Sequence, residues 1–298
     1  MKQTFLSIGE CMVEMAPNAD GHYSLGFAGD TFNTAWYARQ LFDRNWDIAY
    51  LTAVGQDLMS DQMVSFINNA GINTSFVQHL EGCTVGLYMI QLENGERSFA
   101  YWRSDSAARR LANDPARLVA GFGSANVIYF SGITLAILSL CGRSTLFDAI
   151  VSARQKGATV VFDPNLRPRL WDSTDTMRQT IMQAASISDI VLPSYEDEAM
   201  FFGDGTPDDT ARRYAGAGVT TVVVKNAGDE AVCLCGGEFS RFTPERVDDV
   251  VDTTAAGDSF NAGFLATYLD TEDLRASMSA GAKLAARVIS ERGALIKL

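Results

Sequence analysis

Asp252-Thr253-Thr254-Ala255-Ala256-Gly257-Asp258-Ser259-Phe260-Asn261-Ala262-Gly263-Phe264 is the stretch that decides the reading of this 298-residue chain. Residues 247–252 read as a short strand and 254–257 as a tight turn of small residues. Residues 259–269 read as a helix with apolar Phe260, Phe264, Leu265 and Tyr268. Small side chains let backbone come close to a ligand, and the free N–H groups of a first helical turn, with the positive end of the helix dipole, make an anion site. A carboxylate at the edge of that site, Asp258, is placed to take a proton from a hydroxyl. The ordinary role of an Asp there is a helix cap.

Working outward, the chain alternates short apolar runs with amphipathic stretches. Runs at 5–8, 48–51, 126–130, 159–162, 187–192 and 220–224 are rich in β-branched residues, as strands covered on both faces require. Helical stretches at 31–42, 142–155, 174–185, 196–202 and 208–215 serve as crossovers. The expectation is a parallel sheet in a three-layer α/β/α fold, one domain over 1–298. Two stretches break the alternation: 11–16 with 23–27, and 85–92 with 97–102 across a turn carrying Asn94-Gly95. Both read as antiparallel hairpins, a small extra sheet formed by about 11–28 and 83–104.

Asp-Thr-Thr-Ala-Ala-Gly-Asp-Ser-Phe resembles the C-terminal signature of the ribokinase-like (PfkB) carbohydrate kinases. The resemblance implies that Ala255, Ala256 and Gly257 form an anion hole over ATP phosphates and that Asp258 is the catalytic base. It implies that the extra sheet is a lid over the sugar which often pairs two subunits, giving a homodimer or higher homo-oligomer. A second family signature, Gly-Gly-x-x-x-Asn, is matched one Gly short by Ala28-Gly29-Asp30-Thr31-Phe32-Asn33, followed by Val54-Gly55-Gln56-Asp57. Gly29 lets backbone approach a ligand, and Asp30 and Asn33 offer acceptors and donors for sugar hydroxyls.

Two further segments, Arg97 to Arg109 and Asp163-Pro164-Asn165-Leu166-Arg167-Pro168-Arg169-Leu170-Trp171, resemble the versions in the family's 2-keto-3-deoxygluconate kinases. That implies ATP-dependent phosphorylation of a keto-deoxy sugar acid at its 6-hydroxyl, with Mg²⁺ bridging the ATP phosphates. The chemistry agrees, because guanidinium groups grip carboxylates with paired hydrogen bonds. Arg103, two residues after Tyr101, and Arg167, just past a strand end, are the expected carboxylate partners. The resemblance also assigns Tyr88 and Tyr101 to the sugar, and Asn165 and Arg167 to the nucleotide side. Lys225, Asn226, Gly228, Asp229 and Glu230 are assigned to the phosphates and ribose.

The sequence departs from the family where Asn-x-x-Glu, tied to magnesium through water, is replaced by Ser194-Tyr195-Glu196-Asp197. Asp197 is the candidate for that role. The chain stops at Leu298, where related sugar-acid kinases run on into another acidic sugar contact, so that contact is expected to be missing. Monovalent-cation use, in part through residues like Asp252, is open.

Composition fits. With 47% hydrophobic and 20% charged residues the chain can bury a large core. A net charge of −12 argues against a nucleic-acid surface. An early polar N-terminus and no long apolar run make the cytoplasm the expected compartment. Five scattered cysteines suit reducing conditions, and Cys233 and Cys235 read as buried thiols rather than a zinc pair. No Walker A or Gly-x-Gly-x-x-Gly motif exists, and two histidines disfavour a His-based hydrolase. Two alternatives stay open: a kinase of the same fold for fructose, ribose or an epimeric acid, and a sugar-sensing relative without catalysis.

Overall fold

Side chains of β1 (Gln3–Ile8) alternate between two apolar layers, Leu6 and Ile8 on one side and Phe5 on the other, which places this strand inside a sheet covered on both faces. The computed structural model describes residues 2–18, 20–93 and 96–298. A hairpin, β2 (Met12–Pro17) and β3 (Tyr23–Ala28), leads into α1 (Asp30–Leu41), β4 (Trp46–Val54), α2 (Leu58–Asn69) and β5 (Val77–His79). A second antiparallel pair, β6 (Leu87–Glu93) and β7 (Glu96–Trp102), follows. Then come α3 (Pro115–Phe122), β8 (Val127–Ser131), α4 (Gly132–Ile137), α5 (Leu140–Gln155), β9 (Thr159–Asp163) and α6 (Thr174–Ser186). The rest is β10 (Ile190–Val191), α7 (Tyr195–Phe202), α8 (Pro207–Gly216), β11 (Thr221–Val224), β12 (Ala231–Cys235), β13 (Glu238–Phe242), α9 (Ala256–Thr271) and α10 (Leu274–Ile289).

The main sheet has the order β13-β12-β11-β10-β9-β8-β1-β4-β5, parallel from β11 to β5. Residues of α3 to α6 and α8 pack with one face, around Phe130 and Phe162; α1, α2, α9 and α10 cover the other, around Phe5, Tyr129 and Phe264. The α/β/α expectation holds. So does the separate small sheet, β3-β2-β6-β7, in which a parallel pairing of β2 with β6 joins the two hairpins. The expected Asn94-Gly95 turn lies outside the described residues.

Some boundaries differ. The run at 247–252 is no strand: the N–H groups of Val251 and Asp252 both donate to the Ile289 carbonyl at the end of α10, at 2.8 and 3.1 Å. The strand at 187–192 shrinks to two residues. Helix α9 starts at Ala256, so Gly257 and Asp258 sit in its first turn rather than before it. Beyond β11 the sheet turns antiparallel through β12 and β13, where no helix is available to cross back.

Candidate active site

The functional side chains gather where the parallel strands end, the position at which open α/β sheets bind ligands. β9 ends in Asp163 and passes to Asn165 and Arg167, β10 leads to Ser194 and Asp197, and β11 runs into Lys225. From the other layer the N-termini of α1 and α9 bring Asp30, Asn33 and Asp258. Together with Tyr88, Phe99 and Tyr101 from the small sheet they line a cavity of about 470 Å³.

No side chain caps α9. The first-turn N–H groups belong to Ala256, Gly257 and Asp258, and the cap residue Ala255 takes a left-handed conformation, φ 61°, which a non-glycine residue adopts at a cost. Thr253 closes the turn by accepting the Ala256 N–H at 3.2 Å. Asp252 pins it from below: its carboxylate accepts the Thr254 N–H at 3.0 Å and the Gly293 N–H at 2.8 Å. The conformation of Gly257 is open to other residues, and an added Cβ would meet only the Lys225 ammonium, 3.5 Å away. Its lack of a side chain therefore serves the space in front of it.

Asp258 is not a cap. Its Oδ2 accepts from Asn33 Nδ2 at 2.8 Å across 225 residues of sequence, which seats α1 against α9. Burial, and after it the charges of Asp30 and Asp163, push the Asp258 carboxyl from 3.8 up to about 7. The Asn33 hydrogen bond and Lys225 pull the other way without prevailing. A half-buried carboxylate of that affinity lining a cavity is suited to accept a proton near neutral pH.

Gly29 begins α1, and the reason it is glycine is close packing: a Cβ there would lie 2.1 Å from the Glu10 carbonyl oxygen. Asp30, expected to bind sugar hydroxyls, has its Oδ2 bonded by Asn165 Nδ2 at 2.8 Å, and burial raises its pKa. Asn165 itself has a positive φ of 34°. Tyr88 and Tyr101 stand opposite each other across β6 and β7 with ring centroids 6.0 Å apart; Tyr88 donates to Glu14, and Tyr101 is half exposed.

The two arginines part company. Arg167 lines the cavity, half exposed, with Nη1 3.5 Å from Asp197. Arg103 is not among the lining residues, and the expectation of a second free cation is corrected here. Its guanidinium is buried in an ion pair with Glu10, which also takes a hydrogen bond from Ser106. Glu10 follows β1, 93 residues earlier, so nothing local announced the pair.

Asn226, Asp229 and Glu230 line a neighbouring cavity of about 800 Å³ that begins one residue beyond Lys225; Gly228 borders neither. Glu230 is held by Arg241 at 3.1 Å. Sequence reasoning missed Asp163, Phe99, Ile133 and Met12 on the cavity wall and Asn261 beneath it. Among the described residues no group of three His, Cys, Asp or Glu side chains is placed to hold a metal. Burial raises the pKa of Asp197, against the pull of Arg167. Cys233 is buried and Cys235 half-buried on the face it shares. Among the described residues no helix is long and apolar enough to cross a membrane.

Residues 2–298 match the family model described as pfkB family carbohydrate kinase. The chain is 38% identical to the 2-dehydro-3-deoxygluconokinase of Haemophilus influenzae, over 97% of this chain and 94% of that one. It is also 38% identical to the enzyme of the same name from Dickeya dadantii, over 98% and 96%. Among solved structures, fructokinase with bound ATP from Xylella fastidiosa superposes with a TM-score of 0.85 at 21% identity, covering 99% of this chain and 94% of that one, which shows a shared fold.

Proposed function

The chain belongs to the pfkB family of carbohydrate kinases, and we propose that it is a 2-dehydro-3-deoxygluconokinase. The reaction moves the γ-phosphoryl group of ATP to the sugar acid's 6-hydroxyl, giving 2-keto-3-deoxy-6-phosphogluconate. Asp258, with its pKa at about 7, accepts the hydroxyl proton as the oxygen attacks. The first-turn N–H groups of α9, reached across Gly257, face the charge that develops on the phosphoryl oxygens. Asp30 and Asn33 bind sugar hydroxyls, and Tyr88 and Tyr101 pack on the sugar from the small sheet. Arg167 supplies the cation for the carboxylate.

Asn165 and Lys225 belong to the phosphate end of ATP, and the cavity lined by Asn226, Asp229 and Glu230 to the rest of the nucleotide. Of the carboxylates that line the cavity, Asp197 would hold, through water, a divalent ion brought in with the phosphates. Such an ion would neutralise phosphate charge. The exposed Tyr23, Leu25 and Trp102 of the small sheet favour pairing of two subunits there, and the unpaired cysteines favour a cytoplasmic setting.

The proton-hungry Asp258, half-buried in the first turn of a helix at the cavity and bonded to Asn33, is the observation that carries the reading. An ADP-release assay across 2-keto-3-deoxygluconate, its epimer, fructose and ribose tests it. The expected result is preference for the keto-deoxy acid by about 10-fold or more, the scale of a charge-assisted contact to the half-exposed Arg167. Equal use of fructose or ribose would overturn the sugar-acid assignment.

A further inference from the structure

Lys225 and Asp163 reach the cavity from a polar cluster whose internal hydrogen bonds no step above uses. Lys225 Nζ donates to Asn261 Oδ1 at 3.0 Å and to Asp163 Oδ2 at 3.3 Å. Asn261 Nδ2 donates to the same Asp163 oxygen at 2.6 Å and to the Tyr129 hydroxyl at 3.0 Å. All four residues are buried. The Tyr129 hydroxyl accepts from Thr34, whose Oγ1 is also 3.3 Å from the Asp258 carbonyl oxygen. The cluster thus ties β8, β9 and β11 to α1 and α9 directly under the reacting groups.

Resting on the kinase reading, we propose that Asn261 and Asp163 are positioning residues that fix the Lys225 ammonium under Gly257, where it meets the transferring phosphoryl group. An ammonium has three protons. Two go to Asn261 and Asp163, and the nitrogen lies 3.5 Å from where a Gly257 Cβ would be, which leaves the remaining one for an anion bound beside that glycine. A flexible lysine stem needs such fixing: a point charge preorganised where charge develops is worth far more than one that must be ordered during the reaction.

Asn261 suits the task because an amide both donates and accepts. It locks Asp163 and Lys225 in one arrangement without adding charge beside Asp30, Asp163 and Asp258. It lies one turn after the base on α9, so the same helix that carries Asp258 sets the position of the cation.

A mutant cycle tests this on whichever sugar the wild type turns over best, so that failure of the sugar-acid assignment leaves the outcome legible. Lys225→Met is expected to lower kcat by about 100-fold or more, the loss typical of one preorganised transition-state donor. Asn261→Leu is expected to lower kcat by about 10- to 100-fold with the sugar KM within about 3-fold. In the Lys225→Met background the Asn261 change is expected to cost less than about 3-fold, because its effect runs through the lysine. Asn261→Ser, smaller and lacking the amide, carries the same cycle if the leucine variant does not fold. Equal factors in the two backgrounds, a loss confined to KM, or an unchanged kcat in Lys225→Met overturns the inference.

Discussion

Replacing Asp258 by Asn separates chemistry from structure because the two should move in opposite directions. The Asn amide oxygen can occupy the place of Oδ2 and still accept from Asn33 Nδ2, now 2.8 Å from the carboxylate. Its other corner becomes an NH2 group, a donor that cannot take the hydroxyl proton. Loss of a positioned general base costs about 100- to 10,000-fold in turnover. Stability should behave otherwise. The carboxyl is pushed from 3.8 to about 7 by burial and by Asp30 and Asp163. Between those values the folded state holds a proton that the unfolded state has released, so stability falls as pH rises through the window, and the whole penalty is present above pH 7. The shift corresponds to a penalty on the order of 4 kcal/mol. The Asn variant lacks it, so its melting temperature should exceed that of the wild type by more at pH 8 than at pH 5. A coupled ADP-release assay gives the turnover and thermal unfolding at the two pH values gives the stability. Near-wild-type turnover would remove Asp258 from the mechanism, and a stability difference independent of pH would refute the assignment of the crowded charge.

Other outcomes follow from the same geometry. In the wild type, kcat/KM for the sugar should rise with pH through about 7 and level off above it, since the base acts when ionised; a profile flat from pH 5 to 8 contradicts this. Gly257→Val should fold, because a Cβ there meets only Lys225, yet lose at least about 100-fold in turnover by blocking the phosphate space; normal kinetics in the folded variant would show that the turn does not face phosphate. Arg167→Ala should raise the KM for the acid by about 10-fold while fructose and ribose, used poorly, change little; an unchanged acid KM removes it from the carboxylate. Arg103→Ala should strand the buried Glu10 and destabilise the fold by about 3 kcal/mol, read as a lower melting temperature; an unchanged melting temperature would show that the pair carries no such weight.

Local pattern made the layers of this protein legible. Alternating apolar runs placed β1, β4, β8, β9 and β11 and the helices between them, because a strand buried on both faces has few other ways to be written. The thirteen residues around Gly257 held the turn, the helix start and the candidate base, since anion binding at a helix N-terminus depends on neighbours in the chain. Long-range pairing was not legible. Residues 247–252 have the composition of a strand, yet their backbone hydrogen bonds go to the end of α10. Arg103 sits on a strand end two residues past Tyr101, yet the buried Glu10 takes its charge. Asp163, Lys225 and Asn261 lie in three separate segments, and only the convergence of β9, β11 and α9 brings their polar atoms together. Sequence by itself determined which groups this protein has and the local frames that hold them. The tertiary structure decided which charges face each other in low dielectric, and so which carboxylate is held near neutral affinity and which arginine remains at the cavity for a ligand.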